Sequence, residues 1–155
     1  MRLTSPAFHD GEAIPAAHRA ARFNELPPMC IEDVPPNTGS LAIVIEDVDS
    51  PLGGHVTHWL AWNLPPDTAY VDAVNLPGGC CVGTDSFGKV GYTGPLALEG
   101  RHHFRFRLLA LDTLLDLPTG APRPLFDAAI EGHVLSEAEL TGYVDQSTDD
   151  RGTVS

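Results

Sequence analysis

The segment Leu41–Asp47, with the sequence LAIVIED, indicates the fold more clearly than any other stretch of the chain. It begins with five consecutive apolar residues, three of which are β-branched, and contains no glycine or proline. A short branched apolar run of this kind is typical of a buried β-strand. The acidic pair Glu46 and Asp47 ends the run. We therefore predict a buried strand over Leu41–Asp47.

Two further segments have the features of strands. His58–Leu64, with the sequence HWLAWNL, is stopped by Pro65 and Pro66, and His102–Leu111 alternates apolar and polar residues over its first half. Alternation with a period of two is the pattern of a strand that has one face in the core. The 15 glycines and 14 prolines are spread along the chain and divide it into short elements of this kind.

The C-terminal third has a different pattern. Leu125–Glu131 carries apolar residues at helical spacing and is followed by Gly132, a common residue just beyond a helix end. The sequence Ser-Glu-Ala-Glu at 136–139 has the form of a capping box and predicts a second helix over Glu137–Tyr143. Strands followed by helices predict a mainly β domain, a β-rich α+β fold with peripheral C-terminal helices, over residues 1–145.

Composition limits the class of protein. A chain of 155 residues with 43% hydrophobic residues is long enough for one domain with a real core. The 21 acidic and 9 basic residues give a net charge of -12, which repels nucleic acids and anionic membranes. We expect no nucleic-acid partner and no stable membrane association, and any bound anion needs local donors.

Residues 146–155 are polar and are predicted to form a frayed tail.

The sequence favours a cytoplasmic location. No stretch is apolar and long enough to span a bilayer, and the N-terminal residues lack the apolar run of a signal peptide. The three cysteines are an odd number that includes the adjacent pair Cys80 and Cys81, which does not suggest a disulfide framework. We expect reduced, partly buried thiols at these positions and at Cys30.

Three titratable residues lie at strand ends on apolar faces. Since side chains alternate along a strand, each residue shares a face with the residues two, four and six positions away. The alternation places Asp47 with Leu41, Ile43 and Ile45, His58 with Leu60, Trp62 and Leu64, and His102 with Phe104, Phe106, Leu108 and Ala110. Asp47, His58 and His102 are therefore the candidate functional residues.

The order of these residues predicts that they meet. Asp47 closes one strand and His58 opens the next, so antiparallel pairing brings both to the same end of the sheet, and His102 joins them if its strand runs with the second. An aspartate can fix the tautomer of an imidazole, and two imidazoles can donate hydrogen bonds to an oxyanion. The glycine-rich segment Gly88–Pro95 could add backbone N–H donors. The predicted site is a cleft with apolar walls that binds an anion.

Other interpretations of the same residues stay open. A histidine at a strand end is most often a structural residue with satisfied hydrogen bonds. Asp47, His55, His58 and His102 are also possible metal ligands, but no compact ligand motif is present, and we expect no metal and no cofactor. No Gly-x-Ser-x-Gly nucleophile motif occurs. A hydrolase that uses the Asp-His-His cluster and a structural domain with a vestigial pocket are the alternatives.

Several motifs occur in an order and spacing that resemble the phosphatidylethanolamine-binding protein family, most closely its bacterial Raf-kinase-inhibitor-like branch. Asp47–Pro51, with the sequence DVDSP, is similar to the Asp-Pro-Asp-Ala-Pro box of that family. The resemblance continues through Thr57–Pro65, Phe87–Pro95, Gly100–Phe104, Ala110–Asp112, Gly132–Leu135 and Ala138–Leu140. It extends from about Leu3 to Val144, which is nearly the whole chain.

The resemblance carries expectations about fold and site. It implies a central antiparallel sheet, a smaller second sheet, and a small cavity for a phosphate-like or carboxylate-like anion or a phosphorylated headgroup. The site residues that it implies are Asp47, Asp49, Pro51, His58, Gly94, Pro95, His102 and Phe104. The chain departs from the family at Phe104, where many relatives have tyrosine, and at Ala97 and Leu98, where they often have two prolines.

The resemblance also carries expectations about function. It implies a binding or regulatory protein rather than an enzyme, with a protein partner such as a kinase or protease. It further implies a homodimer, since members of the bacterial branch are often dimeric. The sequence itself supports a dimer only through apolar residues near loops, such as Leu52, Leu96 and Leu98.

We predict that the protein is a homodimer in solution. Sedimentation equilibrium measures the mass directly, and we expect twice the chain mass of 16.6 kDa. A mass equal to one chain at the highest protein concentration would contradict this prediction.

Overall fold

Two β-sheets form the framework of the protein in the computed structural model, which describes residues 1–50, 55–96 and 100–145. One helix and one short 3₁₀ turn, Ala16–His18, accompany the sheets within the described residues. The elements in chain order are β1 Arg2–Thr4, β2 Glu12–Ala13, β3 Met29–Glu32, β4 Ser40–Asp47, β5 Val56–Leu64, β6 Tyr70–Val71, β7 Cys81–Val82, β8 Arg101–Leu111, α1 Arg123–Ile130 and β9 Val134–Asp145.

The larger sheet has the strand order β2-β9-β8-β4-β5-β7 and contains the three strands predicted from the sequence. Its pairings are antiparallel except for the short contact between β2 and β9. The smaller sheet has the order β1-β3-β6. The expectation of a mainly β fold with a central antiparallel sheet and a smaller second sheet is thus confirmed. The tail predicted over 146–155 lies outside the described residues.

The central strand β4 is buried along its whole length because both faces of the large sheet are covered. On one face, Ile43 and Ile45 join a core that includes Met29 and Ile31 of the small sheet. On the other face, Ala42 and Val44 pack in a second core with α1, through its buried residue Phe126. A strand covered on both sides needs apolar residues at successive positions, which explains the unbroken apolar run.

One of the two predicted helices is present. Helix α1 begins two residues before the predicted segment, and Gly132 follows it with φ of 79°, a left-handed conformation that suits glycine just beyond a helix end. The predicted helix Glu137–Tyr143 is wrong, because this segment is part of β9 and pairs with β8 over its length. Leu140, Gly142 and Val144 are buried while the residues between them are more exposed, which is a period of two.

Glu46 is a fully buried carboxylate on the face of the large sheet that carries α1. Arg105 of β8 donates from Nε to Glu46 Oε2 at 2.8 Å, and Arg123 of α1 donates from Nη1 to Oε1 at 2.8 Å. Burial by itself raises the pKa of the Glu46 carboxyl, but the hydrogen bonds and charges of Arg123 and Arg105 outweigh it and hold this pKa below its usual range. The carboxylate therefore connects α1 to the sheet through its ion pairs with Arg123 and Arg105.

We predict that Glu46→Gln lowers the free energy of unfolding by about 3 kcal/mol, because it removes the buried carboxylate shared by Arg105 and Arg123 and leaves them only half-exposed acidic partners. Urea denaturation measures the loss. The matched control is Glu139→Gln, which removes a carboxylate that is 50% exposed and 3.7 Å from Arg105, and we expect a loss of about 1 kcal/mol or less. Equal losses in the two variants would contradict the prediction.

Candidate functional site

Three strand ends meet at one end of the large sheet. β4 is antiparallel to both β5 and β8, with Asp47 opposite Val56 and Phe104. The last residue of β4 therefore lies beside the first residues of its two neighbours. This arrangement brings Asp47, His58 and His102 to the same end of the sheet, as the order of the residues predicts.

Asp47 and His102 form a buried hydrogen-bonded pair. The His102 Nδ1–H donates to Asp47 Oδ2 at 2.7 Å, and the exposed fractions of these side chains are 8% and 1%. The other carboxylate oxygen, Oδ1, accepts from the backbone N–H of Asp49 at 2.8 Å. Because an acceptor oxygen faces Nδ1, the neutral ring carries its proton there and its Nε2 carries a proton only in the imidazolium form.

His58 reaches the same core through a β-bulge. Ile45 lies opposite Trp59 and Glu46 lies opposite Thr57, so His58 is the extra residue on β5. A bulge changes the direction in which a side chain points. Simple alternation predicted that His58 shares a face with Leu60 and Trp62, which is wrong, since those two pack in the core under α1.

The His58 ring is held by one hydrogen bond and two aromatic contacts. Its Nδ1–H donates to the backbone carbonyl of Thr93 at 2.6 Å, and the rings of Phe87 and Phe104 meet it edge-on with centroids 5.1 Å away. Burial lowers the pKa of His58, while the Thr93 carbonyl and the negative charges of Asp47 and Asp85 act in the opposite direction with smaller effect. The resting ring is therefore held toward its neutral form.

A turn stabilised by Asp85 positions the carbonyl that holds His58. Asp85 Oδ1 accepts from the backbone N–H groups of Phe87 and Lys89, at 2.9 Å and 3.0 Å, and Oδ2 accepts from the Thr93 hydroxyl at 2.7 Å. Sequence reasoning missed this function of Asp85 and Thr93. The signal that could have found it is the sequence Asp-Ser-Phe-Gly at 85–88, because an aspartate that begins such a turn commonly accepts from the following backbone amides.

Gly94 and Pro95 are buried beside the site, and Gly94 is packed against neighbouring backbone. A Cβ atom at Gly94 would lie 2.1 Å from the backbone carbonyl oxygen of His18, so a side chain does not fit there. The Gly94 N–H donates to Asn24 Oδ1 at 2.7 Å, and the Thr93 N–H donates to the His58 carbonyl at 3.1 Å. The amides of Thr93 and Gly94 are therefore already used inside the protein and are not among the donors that the segment Gly88–Pro95 could offer to an anion.

The remaining predicted site residues have different positions. Phe104 forms an aromatic wall against His58. Asp49 accepts from both the backbone N–H and the Nδ1–H of His103, at 2.8 Å and 2.7 Å. Burial raises the pKa of Asp49, but these hydrogen bonds outweigh it and keep the pKa below its usual value. Pro51, together with Ala97 and Leu98, lies outside the described residues.

The four residues considered as metal ligands do not all lie close to one another. His55 Nδ1 lies 3.6 Å from Glu46 Oε1, in the carboxylate and arginine cluster on the other face of the sheet, and not beside Asp47. Within 1–50, 55–96 and 100–145 no group of three or more histidine, cysteine, aspartate or glutamate side chains is arranged to hold a metal ion.

A comparison with protein-family models identifies the group to which this geometry belongs. The model of the phosphatidylethanolamine-binding protein family matches residues 4–145. The chain belongs to the phosphatidylethanolamine-binding protein family. In this family context the three strand-end residues Asp47, His58 and His102 fall within the motifs on which the sequence resemblance rests.

Two archaeal proteins are similar to this chain over most of its length. A protein of Methanothermobacter thermautotrophicus named only as UPF0098 is 41% identical over 147 residues, covering 92% of this chain and 97% of that protein. A UPF0098 protein of Pyrococcus horikoshii is 38% identical over 150 residues, covering 92% of this chain and 75% of the relative.

Two crystal structures are similar to the whole fold. The homologue CT736 of phosphatidylethanolamine-binding protein from Chlamydia trachomatis has a TM-score of 0.88 and 29% identity, covering 94% of this chain and 97% of that one. YbcL of E. coli, described as a member of the mammalian family, has a TM-score of 0.85 and 26% identity, with 93% and 97% covered.

We predict that Thr93→Val lowers the free energy of unfolding by about 1–3 kcal/mol, because it leaves Asp85 Oδ2 buried without this donor. Thr93→Ser keeps the hydroxyl and is the matched control. Urea denaturation measures stability, and the ring signals of His58 in NMR spectra report whether the Thr93 carbonyl still holds the imidazole. Equal stability and unchanged His58 signals in both variants would show that this hydroxyl does not position the ring.

Proposed function

We propose that the protein binds a small oxyanion, phosphate-like or carboxylate-like, at His58 and His102. The observation that carries this proposal is that both rings are anchored through Nδ1 at the same end of the sheet, His102 on Asp47 and His58 on the Thr93 carbonyl. A buried ring with a fixed orientation and tautomer is prepared to interact through one defined nitrogen. Phosphate, acetate and phosphoethanolamine are the test ligands.

The hydrogen bonds determine which protonation state binds the anion. When neutral, the His58 ring anchored through Nδ1 has a lone pair at Nε2, which does not attract a fully ionised oxyanion. An imidazolium donates from Nε2 and adds a positive charge, so it is the binding form. Because burial lowers the pKa of His58, this form becomes populated only below the ordinary histidine value of about 6.5.

Binding should be weak in this member of the family. Phe104 provides a wall but no hydroxyl donor, and the backbone amides of Thr93 and Gly94 donate to partners inside the protein. The net charge of -12 also opposes the approach of an anion. The ligand of this site is therefore an anion that is present at high concentration, or one that gains further contacts outside the imidazole pair.

The proposal describes a binding protein with a regulatory role, not an enzyme. Phe87 is 45% exposed and its ring also contacts His58, so an occupied site is continuous with an apolar surface that a kinase or protease partner could contact. We place this role in the cytoplasm, where the free thiols of Cys30, Cys80 and Cys81 stay reduced. Within the described residues no helix is long and apolar enough to cross a membrane.

We predict that inorganic phosphate shifts the NMR signals of Asp47, His58 and His102, and that His102→Ala weakens binding by roughly 1–3 kcal/mol through loss of a donor. His103→Ala is the matched control, because the neighbouring His103 is about half exposed and donates to Asp49 instead of Asp47. The His58→Ala variant gives a second test if His102→Ala does not fold. Equal phosphate affinity in all three variants would rule out this site.

The same titration has an expected pH dependence. The binding form of His58 is the imidazolium, and its pKa is lowered by burial, so affinity should rise as pH falls below about 6.5 and change little above that value. By linkage, saturating phosphate should raise the pKa of His58, as measured from its ring signals. An affinity that is constant or that falls with decreasing pH contradicts the proposed binding form.

We predict no catalytic turnover of simple esters or phosphoesters. The Thr93 hydroxyl, which lies in the segment that holds His58, donates to Asp85 and not to an imidazole, so this hydroxyl is not paired with a base as an activated nucleophile is. Hydrolysis of p-nitrophenyl acetate and p-nitrophenyl phosphate is the assay. Hydrolysis by the wild-type protein that disappears in His58→Ala would favour the hydrolase alternative.

A further inference from the structure

A cleft is lined in part by the segment that precedes Thr93. It is an open cleft of about 320 Å³, within the size range of small-ligand sites. Its walls are mainly apolar, with Leu26, Trp59, Leu76 and Val82 among them. None of Asp47, His58 and His102 lines this cleft, so its contents do not depend on the imidazole pair.

Lys89, which also lines the cleft, is the one lysine in the sequence. Its Nζ donates to the backbone carbonyl of Tyr92 at 2.9 Å, and no carboxylate of the described residues lies within ion-pairing distance of it. Several arginines, in contrast, pair with carboxylates: Arg2, Arg101, Arg105, Arg107 and Arg123. In a chain with 21 acidic residues, a cation without a carboxylate partner at an apolar cleft is an available positive charge.

Trp59 contributes an aromatic wall to the cleft, and most of its side chain is buried. Its indole nitrogen is not one of the buried polar atoms that lack a partner among the described residues, so the indole N–H is not a buried donor without an acceptor. The indole N–H of Trp62, in contrast, donates to the Leu117 carbonyl at 3.0 Å inside the protein. The Trp59 ring is therefore an apolar surface for a ligand, and its NMR signal reports what occupies the cleft.

We propose that this cleft binds an amphipathic monoanion, such as a medium-chain carboxylate. The apolar chain of the ligand lies against Trp59, Leu76 and Val82, and the anionic group pairs with Lys89. Charge complementarity favours an anion over a neutral molecule, because the ammonium group has only a carbonyl partner within the described residues. The apolar walls exclude a small hydrophilic anion as the preferred ligand, since it would leave them exposed to water.

The test is isothermal titration calorimetry of the full chain with octanoate, acetate and octan-1-ol at about pH 8, where histidine is mostly neutral and lysine is charged. We expect octanoate to bind more tightly than acetate or octan-1-ol. Lys89→Met should weaken octanoate about tenfold and leave octan-1-ol unchanged, because it removes only the charged donor. Arg2→Met is the matched control with the same loss of charge, since Arg2 pairs with Glu32 on the small sheet.

A second variant and a spectroscopic measurement can still test the proposal if Lys89→Met does not fold. Leu76→Trp adds volume at a residue that is already 38% exposed, and it should prevent both octanoate and octan-1-ol from binding. Octanoate should shift the indole N–H signal of Trp59 and leave that of Trp62, which has its own acceptor, unchanged.

Three results would overturn the proposal. They are the absence of octanoate binding to the wild-type protein, equal octanoate affinity in the wild type and Lys89→Met, and displacement of octanoate by inorganic phosphate. The last result would place the carboxylate at the imidazole pair. In His102→Ala, loss of phosphate binding measured below about pH 6.5, together with unchanged octanoate binding at about pH 8, separates the cleft from the candidate anion site.

Discussion

Two consecutive carboxylates at the buried end of β4 determine how the rest of the structure is arranged. Glu46 and Asp47 are both fully or almost fully buried, and because they are adjacent in a strand, they face opposite sides of the large sheet. A buried charge is tolerated only with partners that satisfy it. The fold therefore has to supply donors on both faces at the same level of the sheet.

The two faces meet this requirement with different chemistry. On the helix side, Glu46 is paired with arginines, which stay charged at all ordinary pH values and so make a permanent connection between α1 and the sheet. On the other side, Asp47 is satisfied by a backbone amide and by His102. The arginine pairs make the helix side a structural connection, whereas the side with His102 and His58 is the one at which we propose that an anion binds.

Much of the fold could be predicted from the sequence, because strands with a strong apolar pattern are specified by their own residues. The run in β4 and the alternation in β8 are examples, and the order of Asp47, His58 and His102 along antiparallel strands was sufficient to bring them together. β9 was missed because a local capping signal at 136–139 favours a helix, whereas pairing with β8 along its whole length favours a strand.

Details of the site depend on tertiary contacts that no local pattern contains. The bulge at His58 arises from the register between two strands, and the anchoring of His58 depends on a turn 35 residues away along the chain. The amides of Thr93 and Gly94 looked available in the sequence because glycine-rich turns often expose such groups, but Asn24 and the His58 carbonyl use them. Sequence patterns thus identified the residues of the site but not the atoms that remain for a ligand.

The anchoring of both imidazoles through Nδ1 has a direct test in NMR spectra that correlate ring nitrogens with ring protons. At a pH where the rings are neutral, we expect the Nδ1–H tautomer for both His58 and His102. The Nε2–H tautomer in either ring would show that this anchoring is wrong, because a nitrogen lone pair would then face the carbonyl oxygen of Thr93 or the carboxylate of Asp47.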